Sequence, residues 1–180
     1  MRKLIEAFSL FLLVLSLTLA ASGCRRQERA RVELTEEEPP TLASVVHVAD
    51  PATATQLLKG FHGIEQGSWR WTAGSFSVLL RPPARAAQLG ARLQLKFSLP
   101  GVVIERLKSV TLKATAGSTA LPQETYSKPG EHVYAQDVPP PALGGNSVLL
   151  EFTLDKTFAP GGGDERRLGI VVTTVGLEPK

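Results

Sequence analysis

The single thiol of this sequence, Cys24, directly follows four small residues at positions 20–23. A thiol can accept a thioether-linked diacylglycerol, and small side chains before it let an extended peptide enter the cleft of a processing peptidase. Upstream, positions 1–3 include an Arg-Lys pair, and positions 7–19 are uncharged and rich in Leu, Phe and Val. That apolar stretch is shorter than the roughly 20 residues of a membrane-spanning helix, but it has the length of a signal-peptide core. The sequence therefore predicts export, cleavage before Cys24 and lipidation of its thiol.

The string Ala21-Ser22-Gly23-Cys24 resembles the lipobox of bacterial lipoproteins. The resemblance implies that several acyl chains hold the mature protein at a membrane of the cell envelope. At about 0.8 kcal/mol per buried methylene, more than one chain is needed for a stable anchor. Arg25 follows the cysteine where aspartate would favour retention, and by resemblance to lipoprotein sorting this implies the outer membrane in a bacterium with two membranes. The alternative is a secreted protein cut after Ala21, in which the cysteine is incidental.

Composition divides the chain into a signal peptide at 1–23, a tether at 24–43 and one domain at 44–178. The tether is polar and charged and contains Pro39-Pro40, which predicts a flexible or extended spacer. Hydrophobic residues make up 43% of the 180-residue chain, enough for one packed core. Because Cys24 is the only cysteine, the domain must be stable without an internal disulfide.

Short runs of alternating apolar and polar residues, separated by Pro and Gly, predict an all-β domain. The clearest run is 91–99, in which every second residue is apolar, as in a strand with one face in water. Further strands are predicted at 45–48, 75–80, 110–115, 132–138, 148–154 and 168–175, and the ambiguous run 104–110 is short enough for another. One helical turn is predicted at 56–58 and a turn at 126–130. About eight strands at this spacing predict an antiparallel two-sheet β-sandwich, as in jelly rolls.

Two clusters of residues together resemble an uncharacterised β-sandwich module. That module is similar to galactose-binding-like jelly rolls and occurs beside bacterial glycosyltransferases and in exported proteins. The resemblance spans about residues 45–177 and implies a fold rather than an activity. The clusters are Leu58-x-Gly60-Phe61-His62-Gly63-x-Glu65 with Arg70-Trp71-Thr72, and Lys156-Thr157-Phe158-x-Pro160 with Asp164-x-Arg166-x-Leu168-Gly169-Ile170.

Trp69 and Trp71 are two positions apart, so on a strand they would share a face. Indole rings stack against the C–H faces of sugars, which makes an exposed Trp a candidate glycan contact. Within the resemblance Trp71 is the core residue of the two, so Trp69 is the stronger candidate. Tyr126 and Tyr134 are further aromatic candidates, on a loop or at the edge of a strand.

Four charged residues in the two clusters could form ion pairs. A carboxylate at Asp164 and a guanidinium at Arg166 can bond through two parallel hydrogen bonds, which would pin the loop at 160–165. Glu65 and Arg70 could form a similar pair. The alternative is that these polar groups converge on sugar hydroxyls, so Glu65 and Arg70 are candidate ligand-binding residues as well.

The remaining patterns argue against an enzyme and against cofactors. The sequence has no Gly-x-Ser-x-Gly motif, and His47, His62 and His132 lack the spacing of metal ligands. No Asp-rich loop indicates a structural calcium. A net charge of +3 does not predict nucleic-acid binding without a focused basic patch. Two hypotheses remain: a lipid-anchored, non-catalytic module that binds polysaccharide, and an assembly lipoprotein that contacts a protein of an envelope complex.

Overall fold

A computed structural model describes residues 41–159, 161 and 163–180. The predicted signal peptide, Cys24 and nearly all of the predicted tether lie outside these residues. Within the described part of the chain, no helix is long and apolar enough to cross a membrane.

The described residues form nine β-strands, two short α-helices and two 3-10 helices. The strands are β1 (Val45–His47), β2 (Leu57–Glu65), β3 (Trp69–Leu80), β4 (Ala91–Leu99), β5 (Val110–Ala116), β6 (Thr119–Tyr126), β7 (Gly130–Val138), β8 (Val148–Leu154) and β9 (Val171–Pro179). The helices are α1 (Ala86–Leu89) and α2 (Gly101–Leu107), and the 3-10 helices are Pro51–Gln56 and Pro140–Leu143.

All strand pairs are antiparallel, and hydrogen bonds join the nine strands into one continuous sheet. The long strand β3 belongs to both layers of this sheet, which we call the two sheets of the sandwich. Its first half pairs with β9, which continues to β4 and β7, while its second half pairs with β8, which continues to β5 and β6. β2 pairs along β3, and β1 pairs with β9. The predicted antiparallel β-sandwich is therefore confirmed, with nine strands where about eight were expected.

A single apolar core fills the space between the sheets, and strands β4, β5 and β8 turn alternate residues into it. In β4 the inward residues Leu93, Leu95 and Leu99 are fully buried, and Phe97 is nearly so. Phe76 of β3 stacks on Phe152 of β8 with ring centroids 4.9 Å apart. Such aromatic pairs add about 0.5–1.5 kcal/mol beyond their buried area. The same alternation leaves the other side chains of each strand on the outer faces, where a binding site can form.

Two local predictions were wrong. Residues 101–107 form helix α2 rather than a strand: Val103 is buried and Ile104 and Leu107 pack against the core, which is the spacing of one helix face. Gln56 ends a 3-10 helix and Leu57 begins β2, so 56–58 is not one helical turn. The buried Gln56 side chain fixes the chain where the 3-10 helix ends. Its amide accepts a hydrogen bond from the Ala43 N–H and donates to the carbonyl oxygens of Ala43 and Leu79.

The strand β6 was not predicted, because Pro122 interrupts a largely polar segment. Proline is tolerated at a sheet edge, where one side of the strand needs no ladder hydrogen bond. β6 is such an edge in the strand order, and the free carbonyl oxygen of Pro122 accepts a hydrogen bond of 2.7 Å from the Tyr134 hydroxyl of β7. This bond links the outermost strands of the two sheets.

Candidate functional site

The two tryptophans lie on the outer face of the sheet that contains β9, β4 and β7. Trp71 is the register partner of Val171 in β9, and Val171 is the partner of Ser98 in β4. Ser98 is in turn opposite Glu131 in β7. Because Ser98 alternates with the buried Phe97 and Leu99, this row of four residues lies on the outer face of the sheet. Val171 is itself buried there, and the half-buried Trp71 also packs against the hydrophobic core.

A second row lies beside the first. Lys96 of β4 is opposite Val133 of β7 and Thr174 of β9. The ladder between β4 and β9 is irregular after Lys96, and this places Thr173 on the surface with its hydroxyl donating to the Lys96 carbonyl oxygen at 3.2 Å. At or beside these two rows lie the indoles of Trp69 and Trp71, the hydroxyls of Ser98 and Thr173, the Lys96 ammonium group and the Glu131 carboxylate.

These side chains line a cleft of about 620 Å³, which we call the Trp cleft. It exceeds two other hollows of the described surface, of about 350 and 190 Å³. Both indoles are half-buried, and their ring centroids are 6.4 Å apart at an interplanar angle of 84°. Among the described residues, neither Lys96 nor Glu131 has an ion-pair partner within 4.0 Å, so both charges are available to a ligand. The residues that define the Trp cleft are Trp69, Trp71, Lys96, Ser98, Glu131 and Thr173.

Tyr126 lies behind the Trp cleft, not on its surface. Its ring packs edge-on against Phe97 at 5.0 Å and also against His132 at 4.9 Å, and both of these neighbours reach the cleft. The Tyr126 hydroxyl donates to Glu124 at 2.7 Å, and burial together with this carboxylate raises the pKa of the phenol. Tyr126 therefore supports the base of the cleft.

Tyr134 is a core residue, which corrects its placement among exposed aromatic candidates. Its side chain is fully buried, and burial raises the pKa of its phenol to about 12. Tyr134 is four positions before the buried Val138 on β7, so both side chains lie on the inward face of the strand.

The charged residues form one cluster at the end of β2. Arg166 bonds both carboxylate oxygens of Asp164, with nitrogen–oxygen distances of 2.8 to 3.2 Å, and its Nη1 donates to Glu65 at 2.9 Å. The expected Glu65–Arg70 pair does not form, because Arg70 donates instead to the backbone carbonyl oxygens of Val48 and His62.

The charged cluster is connected to the Trp cleft through β2. Glu65, the last residue of β2, is the register partner of Trp69, the first residue of β3. The Arg166–Glu65 ion pair thus joins the loop that contains Asp164 to the hairpin that presents Trp69. We infer that Arg166 orders the hairpin end and does not itself reach the cleft. Among the described residues, no group of three His, Cys, Asp or Glu side chains is arranged to hold a metal ion.

Because Arg166 donates hydrogen bonds to Asp164, the free energy of unfolding of the domain should vary with pH in the acid range. The Arg166 side chain and, secondly, its backbone N–H lower the pKa of Asp164 to about 2, from an ordinary value near 3.9. A carboxylate with a lowered pKa in the folded state stabilises the protein above the unfolded pKa, and this contribution is lost as the pH falls from about 4 to 2. We expect Asp164→Asn to melt at a lower temperature than the parent at pH 7, with the difference shrinking below pH 4. Thermal melts across this range measure the effect, and a difference independent of pH would contradict it.

Lys96, Ser98, Glu131 and Thr173 were not among the predicted site residues. For Lys96 and Ser98 a signal was present, since the alternation in 91–99 assigns both to the water-facing side of a strand. That pattern gives no neighbours across the sheet. Strand order is needed to bring them beside Glu131 and the tryptophans.

No protein-family model and no curated protein match the sequence. Among solved structures, the CBM36-1 domain of a multidomain xylanase from the hindgut metagenome of Trinervitermes trinervoides aligns with 76% of this chain and 96% of its own, at 8% identity and a TM-score of 0.40. A carbohydrate-binding module CBM36 in complex with calcium and xylotriose aligns with 74% and 98%, also at 8% and 0.40. A CBM4 structure aligns with 80% and 90%, at 12% and 0.37. At these identities and TM-scores, the matches assign no ligand to this chain.

Proposed function

We propose that this protein is a lipid-anchored, non-catalytic module of the cell envelope that binds polysaccharide in the Trp cleft. The observation that supports this function is the placement of Trp69 and Trp71 on one outer sheet face, beside Lys96 and Glu131, which have no ion-pair partner among the described residues. The rigid sheet presents these groups in a fixed arrangement, which limits the entropy lost on binding.

The chemistry of the Trp cleft suits a sugar better than an apolar ligand. Indole faces stack against sugar C–H groups. The Ser98 hydroxyl can donate and accept hydrogen bonds, and the Thr173 hydroxyl, which donates to the Lys96 carbonyl oxygen, can still accept one. The Lys96 ammonium is a donor and the Glu131 carboxylate an acceptor, so a ligand rich in hydroxyls can satisfy both. A purely apolar ligand would leave these charges desolvated without partners.

The anchor and the tether complete the proposal. An acylated Cys24 would hold the domain at the membrane, and the polar segment after it would separate the cleft from the headgroups. The arginine after Cys24 supports the outer membrane as the location in a bacterium with two membranes. Polysaccharides of the envelope would then lie within reach of the tethered domain.

Trp69→Ala tests the binding function. Removing an aromatic ring that stacks on the ligand costs about 2 kcal/mol, so we expect affinity for the bound polysaccharide to fall about 30-fold. The ligand would first be identified by screening envelope polysaccharides on a glycan array, and the affinity then measured by calorimetry with the detergent-solubilised full chain.

Two control variants separate ligand contact from folding. Trp69→Phe keeps an aromatic ring and should retain most of the affinity. Lys113→Ala removes an exposed charge from β5, in the other sheet, and should bind like the parent. Equal affinity of Trp69→Ala and the parent, with melting temperatures unchanged, would exclude the Trp cleft as the binding site.

A second candidate, docking on an envelope protein, is favoured by exposed apolar residues of β2. Leu58 and Ile64 are 51% and 44% exposed, and β2 pairs with β3 alone among the described strands. Three register shifts along β2 interrupt its hydrogen-bonding edge, which makes strand addition by a partner less favourable.

Crosslinking in cells distinguishes the two candidates. A protein that crosslinks to the parent and to Trp69→Ala, but not to Leu58→Lys, would favour docking.

A further inference from the structure

We propose that the Trp cleft accepts one soluble glycan chain of about three sugar residues, lying across the strands, and does not bind flat crystalline polysaccharide. This inference rests on the proposed function and specifies the physical form of its ligand. Three features of the cleft carry it: the angle between the indoles, the length of the residue row and the distribution of polar groups along that row.

The angle between the indoles excludes a flat ligand surface. The planes of Trp69 and Trp71 meet at 84°, so a surface parallel to one ring is nearly perpendicular to the other. A crystalline face can stack on both rings only if the rings are nearly coplanar. The perpendicular pair instead forms two sides of an angle, in which a single sugar can stack on one indole and touch the other with its edge.

The length of the row corresponds to a short oligosaccharide. Glu131, Ser98, Val171 and Trp71 are successive register partners on β7, β4, β9 and β3. Neighbouring strands lie about 4.8 Å apart, so three spacings extend over roughly 14 Å. This length is comparable with that of a trisaccharide and too long for a single sugar.

The polar groups are spread along the row and differ from one end to the other. The indoles are at the β3 end, Ser98 and Lys96 lie on β4 in the middle, and Glu131 is at the β7 end. A monosaccharide stacked on an indole cannot reach Glu131. Each sugar added toward β7 gains hydrogen bonds until the row is filled, and further sugars extend into solvent.

The experiment measures affinity against chain length. The probes are β-linked oligomers of glucose, xylose and N-acetylglucosamine, each from one to six residues, titrated calorimetrically into the detergent-solubilised full chain. For the series that binds, we expect the Kd to tighten at least about tenfold from one residue to three, and less than about twofold from four to six. Microcrystalline cellulose and chitin should retain no more protein than a Trp69→Ala control.

A pair of variants tests the position of the chain on the row. Glu131→Ala should weaken the trisaccharide at least about fivefold and leave the monosaccharide within about twofold of the parent. Glu151→Ala makes the same charge change on β8, in the other sheet, and should alter neither affinity.

The outcomes separate this inference from the proposed function. Binding of a monosaccharide as tight as that of the trisaccharide, or Trp69-dependent retention on a crystalline polymer, would overturn the single-chain geometry while the glycan-binding function stands. Absence of binding to every oligomer and to every envelope polysaccharide would overturn both.

Discussion

Replacing Cys24 by Ser should abolish acyl labelling of the protein and move it from the membrane fraction to the soluble fraction. A serine hydroxyl does not replace the thiol in thioether formation, so neither the diacylglycerol nor the later N-acyl chain would be attached. Each buried methylene contributes about 0.8 kcal/mol, so losing the chains removes far more than the tether arginines could supply by contact with anionic headgroups. Metabolic labelling with an alkyne-tagged fatty acid, followed by ultracentrifugation, measures both effects.

The matched control for this variant is Ser22→Ala, which keeps a small residue in the same segment. We expect its labelling and fractionation to equal those of the parent. If Cys24→Ser is processed, labelled and sedimented like the parent, the lipid-anchor proposal is wrong, and a freely diffusing exported protein becomes the better description. Binding in the Trp cleft would be unaffected by that result, because the cleft lies wholly within the described domain.

Gly60→Ala should lower the free energy of unfolding by about 3 kcal/mol, a large part of the roughly 5–15 kcal/mol typical of a domain. Gly60 has a backbone φ of +76°, which costs a residue with a Cβ about 1–2 kcal/mol. A Cβ at this position would also meet the Ser75 carbonyl oxygen and lie 2.7 Å from the Phe76 Cα. These contacts are with the backbone of β3, which cannot move without disturbing Phe76 and the core. Urea denaturation monitored by Trp fluorescence measures the change.

Gly63→Ala is the control in the same strand. A Cβ at Gly63 has no atom within 4 Å beyond its chain neighbours, and Gly63 is not among the residues with positive φ. We expect its stability to lie within about 0.5 kcal/mol of the parent. Equal losses in the two variants would show that β2 tolerates no side chain at either glycine, and the specific role assigned to Gly60 would be wrong.

Local sequence patterns predicted the strands whose inward residues alternate regularly. Residues 91–99 and 148–154 were predicted with the bounds that the structure has for β4 and β8. Local patterns failed where packing against the core or position in the sheet determined the structure. The ambiguous run 104–110 was short enough for a strand, but 101–107 form a helix, and the burial of Val103, Ile104 and Leu107 is that of one helix face. In β6, an edge position accommodates a proline that would be excluded from a central strand.

The candidate site was predictable only in part. The spacing of Trp69 and Trp71 was enough to place both indoles on one face of a strand. It could not distinguish the outer face from the core, nor show that Tyr134 is buried. The proximity of Asp164 and Arg166 in sequence suggested their ion pair, whereas the Arg166 contact with Glu65 joins residues 101 positions apart.

Although they missed β2 and β6, local sequence patterns were sufficient to predict regularly alternating strands such as β4 and β8, the inward residues of those strands, and the position of the single thiol after an uncharged apolar stretch. These properties depend on neighbours within a few residues, because side-chain alternation and turn chemistry are local. Strand order, by contrast, brings Glu131, Ser98 and Trp71 into one row, and strand order results from packing between segments far apart in the chain. The cleft is a product of that order, and no local pattern encodes it.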